Sequence, residues 1–376
     1  MGQQTTERSP TRIVIVGGGF GGTYAAMHLE RIFPAEEIAL TLVSRENFLL
    51  FTPMLHEVAA SEVDVTHIVS PLRQLLRRGS VLNGEVISID SAARTIQIRH
   101  NHGHEHSIGY DHLIIALGSV ANFFHLPGVE ERAFTMRTLG DAIALRDRVI
   151  DRLEQAEVEG ASGERAPVAF VIAGAGFAGV ETIGAINDMV RQSLRYYPAI
   201  TPDQVRMVLA DPGPAVLPEL GPELGEYARR ALMKRGIEVR SQTGVALADD
   251  RGLELTDGTR IDGATLVWTA GSGPHPLLRL VPGVDARGRL PVSPTLAVPG
   301  QPGLWALGDA AIVPGPDGKP YPPTAQHAIR QARVVAENIR ATIRGEQLKP
   351  FVFKTLGQLA AIGRRAGGAR VFGVRF

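Results

Sequence analysis

The chain has no cysteine among its 376 residues, which removes disulfides, thiolate metal sites and cysteine nucleophiles together. It has no excess of charge either. With 39 basic against 39 acidic residues, it does not read as a nucleic-acid binder. No apolar run approaches the roughly 18 residues of a membrane span. The opening stretch MGQQTTERSP has no apolar signal region, although Gly2 followed by Thr6 fits the loose N-myristoylation pattern. What remains is a globular chain long enough for two to three domains.

Against these absences stand two glycine fingerprints. The first is IVIVGGGFGG (13–22) and the second FVIAGAGFAGVE (170–181), with Gly174 lying 157 positions after Gly17. Each follows a short β-branched run of the kind that forms a buried parallel strand. Each precedes apolar residues at helical spacing, GTYAAMHLERIF and VETIGAINDMV. In that context glycines permit a tight turn and let backbone N–H groups reach a pyrophosphate at a helix N-terminus. The first loop comprises Gly17, Gly18, Gly19, Phe20, Gly21 and Gly22; the second is carried by Gly174, Gly176 and Gly179.

An acid at the end of the next strand separates the two units. After IALTLVSREN, Ser44 stands where a ribose-binding carboxylate is expected; after VRMVLADPG, Asp211 stands there. The second spacing is ten residues longer, which matches the insertion RYYPAITPDQ. We therefore expect different dinucleotides, FAD on one loop and a nicotinamide nucleotide on the other. Two further apolar strands, YDHLIIALGS (110–119) and ATLVWTAGS (264–272), close the two halves, the latter ending at Gly271. A third, GLWALGDAA (303–311), ends at Asp309, whose carboxylate suits a hydroxyl of a flavin side chain; a helix N-cap is the plainer reading.

Together these stretches resemble the two-dinucleotide-binding-domain flavoprotein reductases, of the glutathione reductase fold. Within them the chain is similar to the type II NADH dehydrogenases, single-subunit NADH:quinone oxidoreductases. The residues that carry the resemblance are VGGGFGG, LVSRENFLLFTPMLHEVA (42–59), GAGFAGVE, DPGPAVLPEL (211–220), GLWALGDAA and YPPTAQHAIRQ (321–331), and it spans residues 12 to about 370. It implies non-covalent FAD, NADH as electron donor and a quinone as acceptor, without a metal. Disulfide reductases of this fold need a cysteine pair, and sulfide:quinone reductases and peroxide-reducing NADH oxidases need at least one cysteine, so none of these can operate here. A soluble ferredoxin- or rubredoxin-type reductase and an NADH-responsive flavin-binding protein stay open as alternatives.

The resemblance also implies roles for two residues. Glu181, in what reads as the first turn of the second helix, matches a glutamate close to the flavin that serves nicotinamide placement or proton delivery. The plainer reading is a carboxylate stabilised by the helix dipole. Ala325 and Gln326 match a motif beside the flavin and the quinone pocket, so the resemblance brings Glu181 and Gln326 to one pocket. Many members carry a second glutamine where this chain has Arg330, followed by Gln331. Arg45 beside Ser44 suggests a clamp for a 2′-phosphate, but it falls in the half assigned to FAD, which has none. Asp211 would repel such a phosphate, so NADH is expected over NADPH.

Weaker signals read as structure. HNHGHEH (100–106) has four histidines in alternation with Gly103 in the middle, and reads as a solvated hairpin tip. His56 reads as a core or surface histidine before a proton carrier. The segment 340–376 carries eight Lys or Arg against Glu346 alone, a charge of +7, with Phe351, Phe353, Phe372 and Phe376 interleaved. Basic plus aromatic suggests an anionic bilayer surface, and the alternative is a solvated tail packed on the FAD-binding domain. The expected architecture is α/β: an FAD-binding domain of residues 1–120 and 272–345, an inserted NADH-binding domain of 121–271, and a basic C-terminal segment 346–376 that faces a membrane and is cut short. SVLNGEVISIDSAARTIQIRH and GVALADDRGLELTDGTRID read as equivalent β-meanders. The expected location is cytoplasmic, peripheral on the membrane's cytoplasmic face, with a homodimer left open.

Overall fold

The computed structural model describes residues 9–163 and 167–375. Gly2 and Thr6, and Glu164, Arg165 and Ala166 of the GERAP stretch, lie outside the described residues. The chain divides into two units. Unit 1 is Met1–Leu50, Val69–Val120 and Gly273–Thr355; unit 2 is Phe51–Ile68, Ala121–Ser272 and Leu356–Phe376.

In unit 1 the strand β1 (Thr11–Val16) lies at the centre of a five-stranded sheet. Ile13, Val14, Ile15 and Val16 are all buried, so both faces are covered and the run is continuously apolar rather than alternating. Each such side chain contributes about 1.5–3 kcal/mol by leaving water. Parallel neighbours are Ile38–Ser44 on one side and His112–Ile115 on the other. Ser80–Asn83 and Leu304–Ala306 complete the edges, also parallel. The order is that of a doubly wound sheet, which reverses direction beside β1. The helix α1 (Phe20–Ile32) begins there and packs on the long helix Ala325–Arg344.

Unit 2 repeats the plan. The strand β2 (Val168–Ala173) is buried at all six positions, between Val205–Asp211 and Thr265–Trp268. Ile237–Ser241 and the short strand Phe134–Thr135 form its edges. The helix α2 (Phe177–Ser193) follows the central strand as α1 does. The ten extra residues before Val205 fold into 3₁₀ turns at Leu194–Tyr196 and Pro202–Gln204.

Both meanders form, as Glu85–Asp90, Thr95–Arg99, Glu105–Gly109 and as Val245–Asp249, Gly252–Leu255, Arg260–Asp262. SVLN, expected in the first, is instead the edge strand Ser80–Asn83 of the main sheet, and Glu105–Gly109 lies beyond the expected stretch. Their first strands carry a bulge at the same place, between Val86 and Ser88 and between Val245 and Leu247. The histidine run is the turn of the first meander, where Arg99 pairs with Glu105. Its rings stack, with His100 and His106 centroids 5.0 Å apart. Among the described residues no group of three or more His, Cys, Asp or Glu could hold a metal ion.

The division departs from the sequence expectation in two places. Phe51–Ile68, expected in the first domain, joins unit 2, where its helix Leu55–Ala59 packs on α2 and on the helix Leu139–Ala161. The basic segment is not an appended tail. Residues up to Thr355 stay with unit 1, and from Gly357 the chain forms an antiparallel meander, Gly357–Ala361, Gly367–Val371 and Val374–Arg375, packed on α2 and on the helix Pro222–Lys234. Ala360 and Ile362 are buried there, so hydrophobic burial keeps this segment on the protein. No helix among the described residues is long and apolar enough to cross a membrane.

Candidate functional site

Each glycine loop leaves the carboxyl end of the central strand, at the point where the strand order reverses. Gly17 and Gly174 both have φ +110°, which a side chain would resist. A Cβ on Gly22 would run into the carbonyl oxygen of Gly17, and one on Gly179 into that of Gly174; these glycines let helix and strand close on each other. Gly19 and Gly176 differ. They are the N-caps of α1 and α2, their Cβ positions face open space, and neither first turn holds an acid. An uncapped helix N-terminus facing open space fits a pyrophosphate.

The loops are held by different bonds. In unit 1 the buried Thr23 hydroxyl donates to the Gly18 carbonyl at 2.8 Å. In unit 2 Thr269 donates to the Ala173 carbonyl at 2.8 Å. Ser44 is buried against Gly18, whose Cβ would collide with the Ser44 hydroxyl, so this site needs glycine. Gly21 similarly abuts Leu307. Phe20 opens α1, and Arg45 is exposed at the strand end. The corresponding pair in unit 2 is Ala175 and Asp211. Asp211 accepts from the Ala175 N–H at 2.7 Å and from the Gly213 N–H at 2.6 Å. It therefore braces the loop from the end of the neighbouring strand. Gly271 has φ +77°, its Cβ direction is closed by Phe124, and its carbonyl accepts from Arg137 at 3.4 Å.

Asp309 follows the strand Leu304–Ala306 in a single 3₁₀ turn and accepts from the Ser119 hydroxyl at 2.8 Å. Gln331, almost fully buried, accepts from the adjacent Gly308 N–H at 2.8 Å and ties the long helix to this turn. Ala325 and Gln326 are the first residues of that helix, so unit 1 brings its N-terminus alongside the Asp309 turn. Arg330 donates to the Gln326 carbonyl at 2.9 Å and its guanidinium lies 4.2 Å over the Phe353 ring. The departure from glutamine at 330 thus has its own packing.

Glu181 is the fifth residue of α2, beyond the first turn, so the helix dipole is not what sets its charge. Its side chain is 16% exposed, and burial, followed by the charge of Glu57, raises its pKa to about 7. Glu181 Oε1 accepts from the Ala361 N–H at 3.3 Å, which offsets part of that shift. His56 Nδ1 lies 3.8 Å from Glu181 Oε2. Burial lowers His56 to about 4, so at neutral pH this contact joins a neutral imidazole to a carboxyl near its midpoint and is not an ion pair. Burial also raises Glu57, with Glu62 adding to it. Sequence reasoning missed Glu57 and Ala361. The apolar setting of LHEVA was the available signal for the first, and the second had none.

A profile of the pyridine nucleotide-disulphide oxidoreductases matches residues 11–332, and the chain belongs to that family. Its relatives narrow this to the type II NADH:quinone oxidoreductases. The enzyme of that name from Mycobacterium tuberculosis, Ndh, is 34% identical over all of this chain and 83% of its own length. The Staphylococcus aureus type II NADH:quinone oxidoreductase is 26% identical over 96% of this chain and 90% of its own. Among solved structures, NDH2 from Plasmodium falciparum in complex with NADH superposes with a TM-score of 0.89 over 98% of this chain and 91% of that one, at 19% identity. That last likeness bears on the fold.

Proposed function

We propose that this chain is an FAD-dependent NADH:quinone oxidoreductase, a non-proton-pumping NADH dehydrogenase. The observation that carries this reading is a buried carboxyl poised near neutral pH in a chain that has two dinucleotide loops and no cysteine. FAD, when bound, supplies the redox chemistry, accepting hydride from NADH and releasing two electrons.

The residues divide the remaining work. The loop Gly17–Gly22, Ser44, Arg45, Asp309 and the helix start at Ala325–Gln326 would hold FAD. The loop of Gly174, Gly176 and Gly179, with Asp211 and Gly271, would hold NADH. Quinone reduction takes up two protons with its two electrons, and Glu181 can yield or accept one at neutral pH. Gln326 would hydrogen-bond the flavin or the acceptor. The membrane-facing surface would be the C-terminal meander, where Leu359, Phe372 and Val374 are 68%, 79% and 56% exposed. Arg365, in the turn at the other end of the first hairpin, adds positive charge.

The test is an anaerobic acceptor panel with NADH as donor: short-chain ubiquinone, a menaquinone analogue, ferredoxin and oxygen. Reoxidation of the reduced enzyme should be fastest with a quinone. Faster reoxidation by ferredoxin would favour a carrier-protein reductase. Slow reduction by NADH itself would favour a binding protein.

A further inference from the structure

Unit 2 contains a cavity of about 420 Å³ that neither glycine loop lines. It opens where the strand Thr265–Trp268 begins, at the opposite end of the sheet from Gly174. Arg132, Arg148, Arg152 and Arg251 line it, against Asp249 and Asp250.

Both carboxylates are already committed. Asp249 accepts from the Arg251 and Gly252 N–H groups at 2.9 and 3.2 Å and pairs with Arg260. Asp250, 92% exposed, pairs with Arg132 at 2.6 Å. Arg148 donates to the Thr265 hydroxyl at 3.2 Å and reaches the surface carboxylate of Asp151 at 3.3 Å. Arg152 is only 8% exposed and has neutral partners: Gln155 Oε1 at 2.5 Å and the Pro167 carbonyl at 3.1 Å. Its Nε is buried with no acceptor, and among the described residues no carboxylate pairs with it. Burial first, then the charge of Arg148, pushes its pKa down.

Glu159 and Asp151 offset part of this from a distance, but a guanidinium buried without a paired carboxylate is costly, and an anion entering the cavity would relieve that cost. Guanidinium groups match the oxygens of a phosphate with parallel N–H donors. The volume falls within the range of small-molecule sites, and the half-buried Phe134 offers an apolar wall. We propose that this cavity is a second ligand site, independent of both dinucleotide loops, that binds a small phosphomonoester of sugar-phosphate size.

The test uses FAD-loaded enzyme saturated with NAD⁺, so that both dinucleotide loops are filled, and calorimetric titration with ribose 5-phosphate, inorganic phosphate and ribose. Ribose 5-phosphate should bind, inorganic phosphate more weakly, and ribose not at all. Arg148→Gln should weaken binding about tenfold, the scale of one charge-assisted hydrogen bond. Asp250→Asn alters an exposed surface group, so the fold is kept; it frees Arg132 and should tighten binding two- to threefold, roughly the weight of a surface ion pair. Absence of binding, binding insensitive to both substitutions, or binding abolished by NAD⁺ would each overturn the proposal. Inorganic phosphate binding as tightly as ribose 5-phosphate would overturn the assignment of a sugar phosphate.

Discussion

Glu181 and His56 lie 3.8 Å apart in unit 2 with their pKa values moved in opposite directions, the carboxyl up to about 7 and the imidazole down to about 4. Burial drives both shifts, because it disfavours whichever form carries charge. The result is a pair that stays uncharged between those two values.

That relationship predicts an unusual pH dependence of stability. His56 ordinarily titrates at 6.5, so between about 4 and 6.5 the unfolded chain binds more protons and stability rises with pH. Glu181 ordinarily titrates at 4.5, so between 4.5 and about 7 the folded chain binds more protons and stability falls with pH. The two slopes oppose each other from 4.5 to 6.5. Removing either group should expose the other, on the order of 3 kcal/mol across its window. Chemical denaturation from pH 4 to 7.5 should show stability rising with pH, relative to wild type, in Glu181→Gln and falling in His56→Gln.

For catalysis, Glu181→Gln should slow reoxidation by quinone by on the order of a hundredfold, the usual weight of general acid–base help. Flavin reduction by NADH should change much less. Stopped-flow separates the two half-reactions, and equal slowing of both would assign Glu181 to nicotinamide placement instead.

The second glycine loop predicts a split between two neighbours. Gly176→Ala places its methyl in open space on the nucleotide side, so thermal stability should hold while KM for NADH rises about tenfold, or 1.4 kcal/mol. Gly179→Ala drives a methyl into the Gly174 carbonyl and should cost about 1–3 kcal/mol of stability or more. Thermal unfolding with parallel KM measurement checks both.

Nucleotide choice should follow Asp211. NADH should exceed NADPH in kcat/KM by at least about tenfold, and Asp211→Ser with Pro212→Arg should narrow that gap. Because Asp211 also accepts the Ala175 and Gly213 N–H groups, the same change should raise KM for NADH. Steady-state kinetics with both nucleotides decides it.

The two glutamines of the long helix should behave differently. Gln331→Leu leaves the Gly308 N–H without its acceptor, costs about 1–3 kcal/mol and loosens the Asp309 turn, so FAD retention should fall. Gln326→Leu keeps the helix start and the rest of the FAD-holding residues, so FAD should stay in place while quinone reduction slows several-fold. Flavin content after gel filtration and stopped-flow distinguish them.

Much of this protein is legible from local sequence. The glycine spacing, the β-branched runs before each loop and the helical periodicity after it are short-range signals, and both strand–loop–helix units form where they indicate. The paired meanders were legible for the same reason. The ten-residue insertion between Leu194 and Val205 explained a spacing that would otherwise have counted against Asp211.

What local pattern could not carry was the destination of segments whose partners are distant. Phe51–Ile68 and Leu356–Phe376 join unit 2 through contacts with α2, and the second reads by composition as a basic surface tail. The state of Glu181 was hidden for a related reason. Its sequence position left two readings, a carboxylate stabilised by a helix dipole or, by resemblance, a group for nicotinamide placement or proton delivery. Its pKa is set by burial, by a hydrogen bond from Ala361, 180 positions away, and by the charge of Glu57. Sequence alone determined the two dinucleotide loops and excluded thiol chemistry, because turn geometry and residue inventory are local properties. Only the tertiary structure decided which carboxyl has its pKa raised toward neutrality, because a pKa depends on desolvation and neighbouring charge, and both are set by the packing of residues far apart in the chain.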